Sequence, residues 1–339
     1  MYSFAWADDP IVHGFIPESG TAVNSFAAGQ TAEAVAANWY NVSSTVGCGG
    51  NTTSPDTVLA CMRTKPYTSI LAAIPNTGGF IAEAFGPTID QVVVFSDVLA
   101  RGQAGNFAQL PMLLGSANNE AGLFIPLQAL AGNEYPQSVW DQFNLAFTCP
   151  EATRANISVY NKVPTWRYRY FGDWPDLRIT STPNSGAYHA SELAILFNTS
   201  TLPAALSSGI PAATSQEEAF GTYMRGAWAA FSKDPVNGLT RYGWPAYNPT
   251  GETLIRLAYS NQTGTNAALP ITYDAACQVE LLVNGTASNV TKTGSNGATS
   301  TGSNTPATIS VSAGLRGEVR FAECAVSTLA AVFLVAALL

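Results

Sequence analysis

The distribution of apolar and polar positions predicts short buried strands along the chain. Residues 110–114 form an uncharged apolar run, which is typical of a strand buried on both faces. In residues 165–171 aromatic side chains alternate with two arginines, and this period of two indicates a strand. Residues 253–259 are a later strand candidate, and residues 9–16 lead into a short apolar strand that ends near Gly20.

Helical patterns separate these strand candidates. Ser54 followed by Pro55 is a favourable helix start, because serine caps free amide groups and proline fits the first turn. A helical region over residues 138–162 is predicted to break at Cys149-Pro150, since proline lacks an amide donor. Another helix opens at the capping box of residues 215–218. Its apolar face comprises Phe220, Met224, Ala227 and Phe231. Helices that alternate with strands predict an α/β fold with a mixed, mostly parallel sheet.

The composition changes after residue 283, where serine, threonine, glycine and asparagine replace almost all large apolar residues. Such a segment cannot bury enough apolar surface to fold. We therefore predict three parts. They are a folded domain over residues 1–282, a disordered, O-glycosylated stalk and spacer over residues 283–321, and an apolar tail over residues 322–339.

The tail has the layout of a signal for a glycosylphosphatidylinositol (GPI) anchor. Residues 324–339 carry no charge, but this run is shorter than the roughly 20 residues that span a bilayer as a helix. Ser312 begins a triplet of small residues, and a polar spacer separates this triplet from the apolar terminus. We expect attachment at Ser312, with Asn304 or Ser310 as alternatives, to the outer leaflet of the membrane. A tail-anchored helix and a buried core helix are the other interpretations.

Composition and charge favour a secreted protein and exclude a nucleic-acid partner. Hydrophobic residues make up 47% of the chain and charged residues 11%, and 15 basic against 23 acidic residues give a net charge of −8. Nucleic-acid phosphates require a basic surface, which this chain lacks. Several Asn-x-Ser/Thr sequons indicate N-glycosylation and secretion. These sequons lie at Asn41, Asn51, Asn156, Asn198, Asn261, Asn284 and Asn289.

The 5 cysteines fit an oxidising compartment. A bond between Cys48 and Cys61 would close a short loop, which by chain entropy stabilises a fold by roughly 3 kcal/mol. Cys149 and Cys277 are the remaining long-range pair, and Cys324 is left over in the tail. The alternative is a set of reduced, buried thiols.

Two loop motifs carry candidate catalytic groups. Glu120 lies in Asn118-Asn119-Glu120-Ala121-Gly122 after the first strand candidate, and His189 lies in Gly186-Ala187-Tyr188-His189 after the second. Taken singly, they would be a solvated loop glutamate and a structural histidine. Together, an acid and then a histidine, each in a loop after a strand, follow the order of the α/β-hydrolase triad. The carboxylate would fix the imidazole tautomer, and the imidazole would take the proton of a serine hydroxyl. The sequence contains no Gly-x-Ser-x-Gly elbow to supply that serine.

Ordered matches over about residues 1–280 resemble a type-B carboxylesterase of the cholinesterase-like family, in its filamentous-fungal form. The matching stretches include Tyr2-Ser3-Phe4-Ala5-Trp6, Asn118-Asn119-Glu120-Ala121-Gly122, Phe147-Thr148-Cys149-Pro150, Pro164-Thr165-Trp166-Arg167-Tyr168-Arg169-Tyr170-Phe171-Gly172, Gly186-Ala187-Tyr188-His189, Trp228-Ala229-Ala230-Phe231 and Gly243-Trp244-Pro245. The resemblance implies an α/β-hydrolase fold, a carboxylic ester hydrolase activity on small-molecule esters, and no cofactor or metal. It does not define the class of ester.

The resemblance also implies roles for individual residues. Glu120 is expected to be the triad acid and His189 the general base. Ser19 corresponds to a serine beside the acid, and we expect it to hydrogen-bond to Glu120. His13, the second histidine, is expected to be structural. The resemblance further implies two disulfides, Cys48–Cys61 and Cys149–Cys277.

The start of the chain departs from the family. The nucleophile elbow is expected roughly a dozen residues before Tyr2, with the glycine-rich oxyanion loop further upstream. The first residues also lack the basic start and apolar stretch of an export signal. We therefore expect an incomplete α/β-hydrolase fold from a longer secreted ester hydrolase, inactive and poorly soluble by itself. The alternative is a catalytically dead, cholinesterase-like surface module for binding or adhesion.

Overall fold

The computed structural model describes residues 2–8, 10–23, 30–74, 85–199, 211–277, 280–283 and 286–289. Several predictions from the sequence fall outside these residues. They concern the apolar tail, the stalk beyond residue 289, Asn284, Cys324, and the attachment candidates Asn304, Ser310 and Ser312.

Helices and strands alternate along the described chain, as expected for the α/β class. The α-helices are α1 (Tyr2–Ala5), α2 (Ala32–Thr45), α3 (Pro55–Met62), α4 (Tyr67–Ala73), α5 (Val98–Gln103), α6 (Phe124–Leu130), α7 (Gln137–Tyr160), α8 (Ser191–Leu196), α9 (Ser215–Lys233), α10 (Gly238–Arg241) and α11 (Ile271–Asp274). Short 3-10 helices occupy Glu120–Leu123 and Tyr259–Asn261. The strands are β1 (Met112–Ala117), β2 (Thr165–Tyr170), β3 (Leu254–Leu257), β4 (Glu280–Val283) and β5 (Thr286–Asn289).

A small parallel sheet in the order β1-β2-β3 positions the loops discussed below. β1 pairs with β2 over its whole length, and β3 pairs with residues 167–170 of β2. The opening segment joins the sheet through parallel bridges from Phe15 to Met112 and from Glu18 to Gly115. The strand expected before Gly20 is therefore present as isolated bridges. Because these segments run parallel, their carboxyl ends lie on one edge, where α/β sheets place their ligands.

β1 is buried on both faces, as its apolar run predicts, although it begins at Met112 rather than at residue 110. Leu113 is fully buried. A side chain at Gly115 would lie 2.4 Å from the ring of Tyr168 in the neighbouring strand. Close packing between β1 and β2 therefore requires glycine at this position.

The arginines of β2 do not mark a solvent-exposed face. Arg167 is only 1% exposed. Its guanidinium makes a two-pronged ion pair with Asp274, with an Nη2–Oδ1 distance of 2.9 Å, and donates to the Thr148 carbonyl at 3.3 Å. A buried charge without such partners would be strongly destabilising. The period of two correctly predicts the strand, but both of its faces are covered.

Helix α7 continues through Pro150, so the predicted break at Cys149-Pro150 is wrong. Proline in a helix interior costs about 3 kcal/mol through its missing amide and its ring clash. Packing on both sides of Pro150 offsets this cost, because Phe143 and Phe147 before it and Ala155 after it are buried. Tertiary burial therefore overrides the local signal in this helix.

The N-cap of helix α9 lies one residue earlier than the sequence predicts. Thr214 is the N-cap, and its hydroxyl accepts a hydrogen bond from the Glu217 amide at 3.1 Å. The predicted capping box at Ser215 is therefore displaced by one position. The expected apolar face is confirmed, because its four members are buried: Phe220, Met224, Ala227 and Phe231.

Both predicted disulfides are present. Cys48 is bonded to Cys61, and Cys149 is bonded to Cys277. The second bond links the middle of α7 to Cys277, three residues after α11, whose last residue Asp274 pairs with the buried Arg167. The reduced-thiol alternative is therefore wrong for these four cysteines.

Strands β4 and β5 form an antiparallel hairpin. At residues 286–289 the structure thus differs from the disordered stalk expected there. No helix in the described part of the chain is both long enough and apolar enough to cross a membrane.

We expect loss of the Cys149–Cys277 bond to destabilise the fold more than loss of Cys48–Cys61. The bonds close sequence separations of 128 and 13 residues, for which chain entropy gives about 5 and about 3 kcal/mol. Double serine variants at each pair, compared by urea unfolding, measure this difference. An equal or larger loss for the Cys48–Cys61 pair would contradict it.

Candidate active site

The loop after β1 holds Glu120 in a fixed orientation. The Glu120 side chain is fully buried. Its Oε1 accepts hydrogen bonds from the backbone amide of Ala117 and from the hydroxyl of Ser19, each at 2.8 Å. Two donors on one oxygen leave the second oxygen of the carboxylate to face another group. Burial with these partners keeps the carboxylate in one rotamer.

His189 provides that other group. Its Nδ1 lies 2.5 Å from Oε2 of Glu120, although the two residues are 69 positions apart in the chain. The imidazole is 31% exposed, whereas the carboxylate is not exposed at all. A carboxylate on Nδ1 favours the tautomer with its proton on that nitrogen, which makes Nε2 the proton acceptor. The pair can therefore act as a general base with an orienting acid.

Two phenylalanine rings pack against the imidazole. The ring centroids of Phe147 and Phe124 lie 5.2 and 5.8 Å from that of His189. Phe143 contacts both rings, at centroid distances of 5.4 and 4.9 Å. The sequence analysis assigned these phenylalanines no role at the site, although Phe124 follows Glu120 by four residues and thus by about one helical turn.

The other two candidate residues, Ser19 and His13, lie in different surroundings. Ser19 makes the expected hydrogen bond to Glu120 and has a left-handed backbone conformation, with φ of 50°. Such a conformation is unfavourable for a residue other than glycine, and it persists where the surroundings impose it. His13 is exposed and belongs to the opening segment. Ser19 therefore lies beside the acid, and the roles expected for these residues stay predictions.

Two further carboxyl groups are buried near Glu120, and the sequence analysis assigned neither of them a role. Glu151 on α7 accepts a hydrogen bond from the Ser116 hydroxyl at 2.9 Å. Burial raises the pKa of Glu151 to about 8, even though Arg167 acts in the opposite direction. Burial likewise raises the pKa of Glu192, at the start of α8, to about 8. Both side chains are therefore mainly neutral at pH 7, which spares Glu120 the repulsion of neighbouring negative charges.

Among the residues that the structure describes, no group of three or more histidine, cysteine, aspartate or glutamate side chains is arranged to hold a metal ion.

Comparison with known proteins supports the resemblance seen in the motifs. The model of the carboxylesterase family matches residues 3–144, which include Glu120. A secreted lipase (secreted lipase 5) of Gibberella zeae is 28% identical over 284 residues, covering 77% of this chain and 50% of that protein. A chlorogenic acid esterase of Aspergillus niger is 28% identical over 254 residues, covering 74% of this chain and 46% of that protein.

These findings confirm the resemblance to carboxylesterases and to fungal esterases and lipases. The chain spans about half the length of the curated relatives that it matches. The resemblance therefore applies to about half of each relative and not to its whole length.

We expect Glu151 to make stability fall as the pH rises. The free side chain ionises near pH 4.5, whereas the buried one ionises near pH 8. Between these values the folded protein holds a proton that the unfolded chain has lost, so the free energy of unfolding decreases with pH. Glu151→Gln should reduce this decrease by up to about 4 kcal/mol between pH 5 and 8, since each pH unit is worth about 1.4 kcal/mol.

Urea unfolding at intervals from pH 5 to 9 measures this effect. Glu218→Gln, a substitution of an exposed glutamate on α9, is the matched control and should keep the pH dependence of the wild type. If Glu151→Gln keeps the same slope as Glu218→Gln, the buried carboxyl is not the source.

Proposed function

We propose that this carboxylesterase-type chain supplies the acid and the general base of a serine ester hydrolase. The observation that carries this proposal is the 2.5 Å contact between Nδ1 of His189 and Oε2 of Glu120. It supports the proposal because an imidazole oriented in this way can take a proton at Nε2. The position of both residues at the carboxyl edge of a parallel sheet gives further support.

In the proposed reaction, His189 first takes the proton of a serine hydroxyl as the oxygen attacks the ester carbonyl. The resulting imidazolium is stabilised by Glu120 and then gives its proton to the departing alcohol, which leaves an acyl-enzyme. A water molecule attacks the acyl group, with His189 again as base, and the acid is released. The reaction requires no cofactor. The substrate is a small-molecule carboxylic ester.

The serine itself is not assigned. The 339-residue sequence contains no Gly-x-Ser-x-Gly segment, and Ser19 donates its hydroxyl to Glu120. We therefore propose that the polypeptide with this sequence does not hydrolyse esters by itself. Removal of a triad nucleophile typically lowers turnover by about 10⁶. The activity belongs to a protein in which such a serine reaches His189.

The proposed location is the secretory pathway and the cell surface. One relative is a secreted lipase, and the two disulfides fit an oxidising compartment. Attachment through a GPI anchor at Ser312 is part of this proposal and follows from the sequence alone. The alternative function, a dead surface module for binding or adhesion, gives no reason to keep the contact between Glu120 and His189.

The catalytic proposal is tested in an expression clone extended upstream of the Met1 codon to include a Gly-x-Ser-x-Gly segment. We expect this protein to hydrolyse p-nitrophenyl butyrate. His189→Ala should lower kcat by about 10⁶ and Glu120→Gln by about 10⁴, because the first removes the base and the second its orienting charge. Ser19→Ala should lower turnover at least about twofold, because the Glu120 carboxylate would lose one of the hydrogen bonds that restrain it.

His13→Gln is the matched control and should leave kcat unchanged, because this histidine lies outside the contact. Hydrolysis by the unextended polypeptide above its own His189→Ala background would contradict the proposed inactivity. An extended gene whose elbow lacks serine would instead support the binding module.

Among the sequons, we expect Asn156 to stay unmodified. Asn156 is 6% exposed, and its Oδ1 accepts a hydrogen bond from Tyr247. The Asn261 amide bonds to both backbone groups of Asp173, so a glycan there would disrupt this contact. The exposed sequons with the highest expected occupancy are Asn41, Asn51 and Asn198.

Secretion from yeast, followed by enzymatic deglycosylation in heavy-oxygen water and mass spectrometry, measures occupancy at each site. Asn51→Gln should remove one glycan, while Asn156→Gln should remove none. Full occupancy at Asn156 in the folded protein would contradict the ranking.

A further inference from the structure

Two loops meet at the candidate active site. The acid loop, residues 117–122, follows β1, and the histidine loop, residues 184–190, precedes α8. Asn119 lies between them. Its backbone amide donates to the Ala187 carbonyl, and its side-chain Nδ2 donates to the Ser185 carbonyl, each at 2.9 Å. In the described structure, these two bonds and the contact of Glu120 with His189 are the direct hydrogen bonds between the loops.

Gly122 brings the two loops into close contact at the same point. A side chain at this position would lie 2.2 Å from the Ser185 carbonyl oxygen and 2.7 Å from Nδ2 of Asn119. A side chain at residue 122 would therefore collide with both partners of the hydrogen bond between Asn119 and Ser185. Glycine at this position leaves the space that the bond needs. Ser185 is itself buried, so its carbonyl oxygen would be costly to leave without a donor.

The two members of the acid–base pair are held in different ways. Glu120 is oriented by Ala117 of its own loop and by Ser19 of the opening segment, independently of the histidine loop. His189 lies outside α8, which begins at Ser191 after Ala190 has adopted a left-handed φ of 70°. The helix therefore does not extend to the histidine. The backbone of His189 depends on the contacts of its loop.

We propose that Asn119 is a positioning residue, which fixes the histidine loop against the acid loop so that the imidazole meets the carboxylate. This inference rests on the proposed function, in which that contact is used. Asn119 reaches neither the imidazole nor the carboxylate in the described contacts, and it acts through the backbone of residues 185–187. Its neighbour Asn118 instead extends the pairing of β1 with β2, because its backbone amide donates to the Tyr170 carbonyl at 2.8 Å.

The experiment uses the 339-residue chain and needs no ester hydrolysis. The chain has 2 histidines, so labelling with ¹⁵N-histidine produces signals from only His13 and His189, and His13→Gln assigns them. The nitrogen shifts of His189 report which ring nitrogen carries the proton, and the Nδ1 proton held by Glu120 reports the contact itself. Glu120→Gln provides the spectrum of an imidazole without its carboxylate.

Asn119→Ala and Asn119→Asp both remove the Nδ2 donor. In each folded variant we expect the His189 signals to shift toward those of Glu120→Gln. The Nδ1 proton should also exchange with water about fivefold faster, as the loss of one hydrogen bond between the loops implies. Asn161→Ala is the matched control. Its Nδ2 also donates to backbone carbonyls, those of Gly102 and Ile157, at 3.0 and 2.8 Å, and this variant should keep the wild-type His189 signals.

Unchanged His189 signals in either folded Asn119 variant would overturn the inference. If neither variant folds, the wild type decides by hydrogen exchange on warming. The inference requires the backbone amide proton of Asn119 and the Nδ1 proton of His189 to lose protection from exchange together. Loss of protection at the Nδ1 proton alone would refute it. A wild-type spectrum without the Glu120-dependent signature would contradict the acid–base contact and with it the proposed function, which is a different result from a failure of Asn119.

Discussion

Burial of an ionisable carboxyl group at Glu120 is the constraint on which the candidate site depends. A carboxylate removed from water is unfavourable unless donors surround it. The amide of Ala117 and the hydroxyl of Ser19 serve one oxygen, and the imidazole of His189 serves the other. These donors come from three separated parts of the chain. The cost of burying the charge therefore links the opening segment, the acid loop and the histidine loop.

Helix α7 supports this arrangement from one side. Asn144 accepts a hydrogen bond from the Ala121 amide, Phe147 packs on the imidazole, and Glu151 accepts from Ser116. Spacings of three and four residues place these side chains along one face of the helix. The same helix is tied by the Cys149–Cys277 bond to the segment that follows α11. Its continuity through Pro150 is thus a requirement of the site, because a break there would separate Phe147 from Glu151.

The sequence was sufficient to predict β1, β2 and β3, because short-range patterns carry that information. Glu120 and His189 were selected by their loop motifs, their order in the chain and the family resemblance. The period of two in β2 and the apolar run of β1 are local properties. By contrast, the partners of Arg167 and Glu151 lie 107 and 35 residues away, and no local pattern encodes such distances. The uninterrupted α7 is a similar case, since burial of Phe143 and Ala155 outweighs the signal of proline. The roles of Asn119 and of Phe124, the first residue of α6, were not predicted, because single amide and apolar side chains have no distinctive spacing.

The exposure of the two central groups differs in the direction that general base chemistry needs. Glu120 is fully buried, whereas 31% of the His189 side chain is exposed. An acid screened from water exerts a stronger electrostatic effect on its neighbour than an exposed one does. A base must in turn be reachable by the group whose proton it takes. The fold meets both conditions by burying the carboxylate in the segment after β1 and leaving the imidazole partly exposed on the loop before α8. That asymmetry, more than the presence of either residue, distinguishes this pair from a structural ion pair such as Arg167 with Asp274, in which both partners are buried.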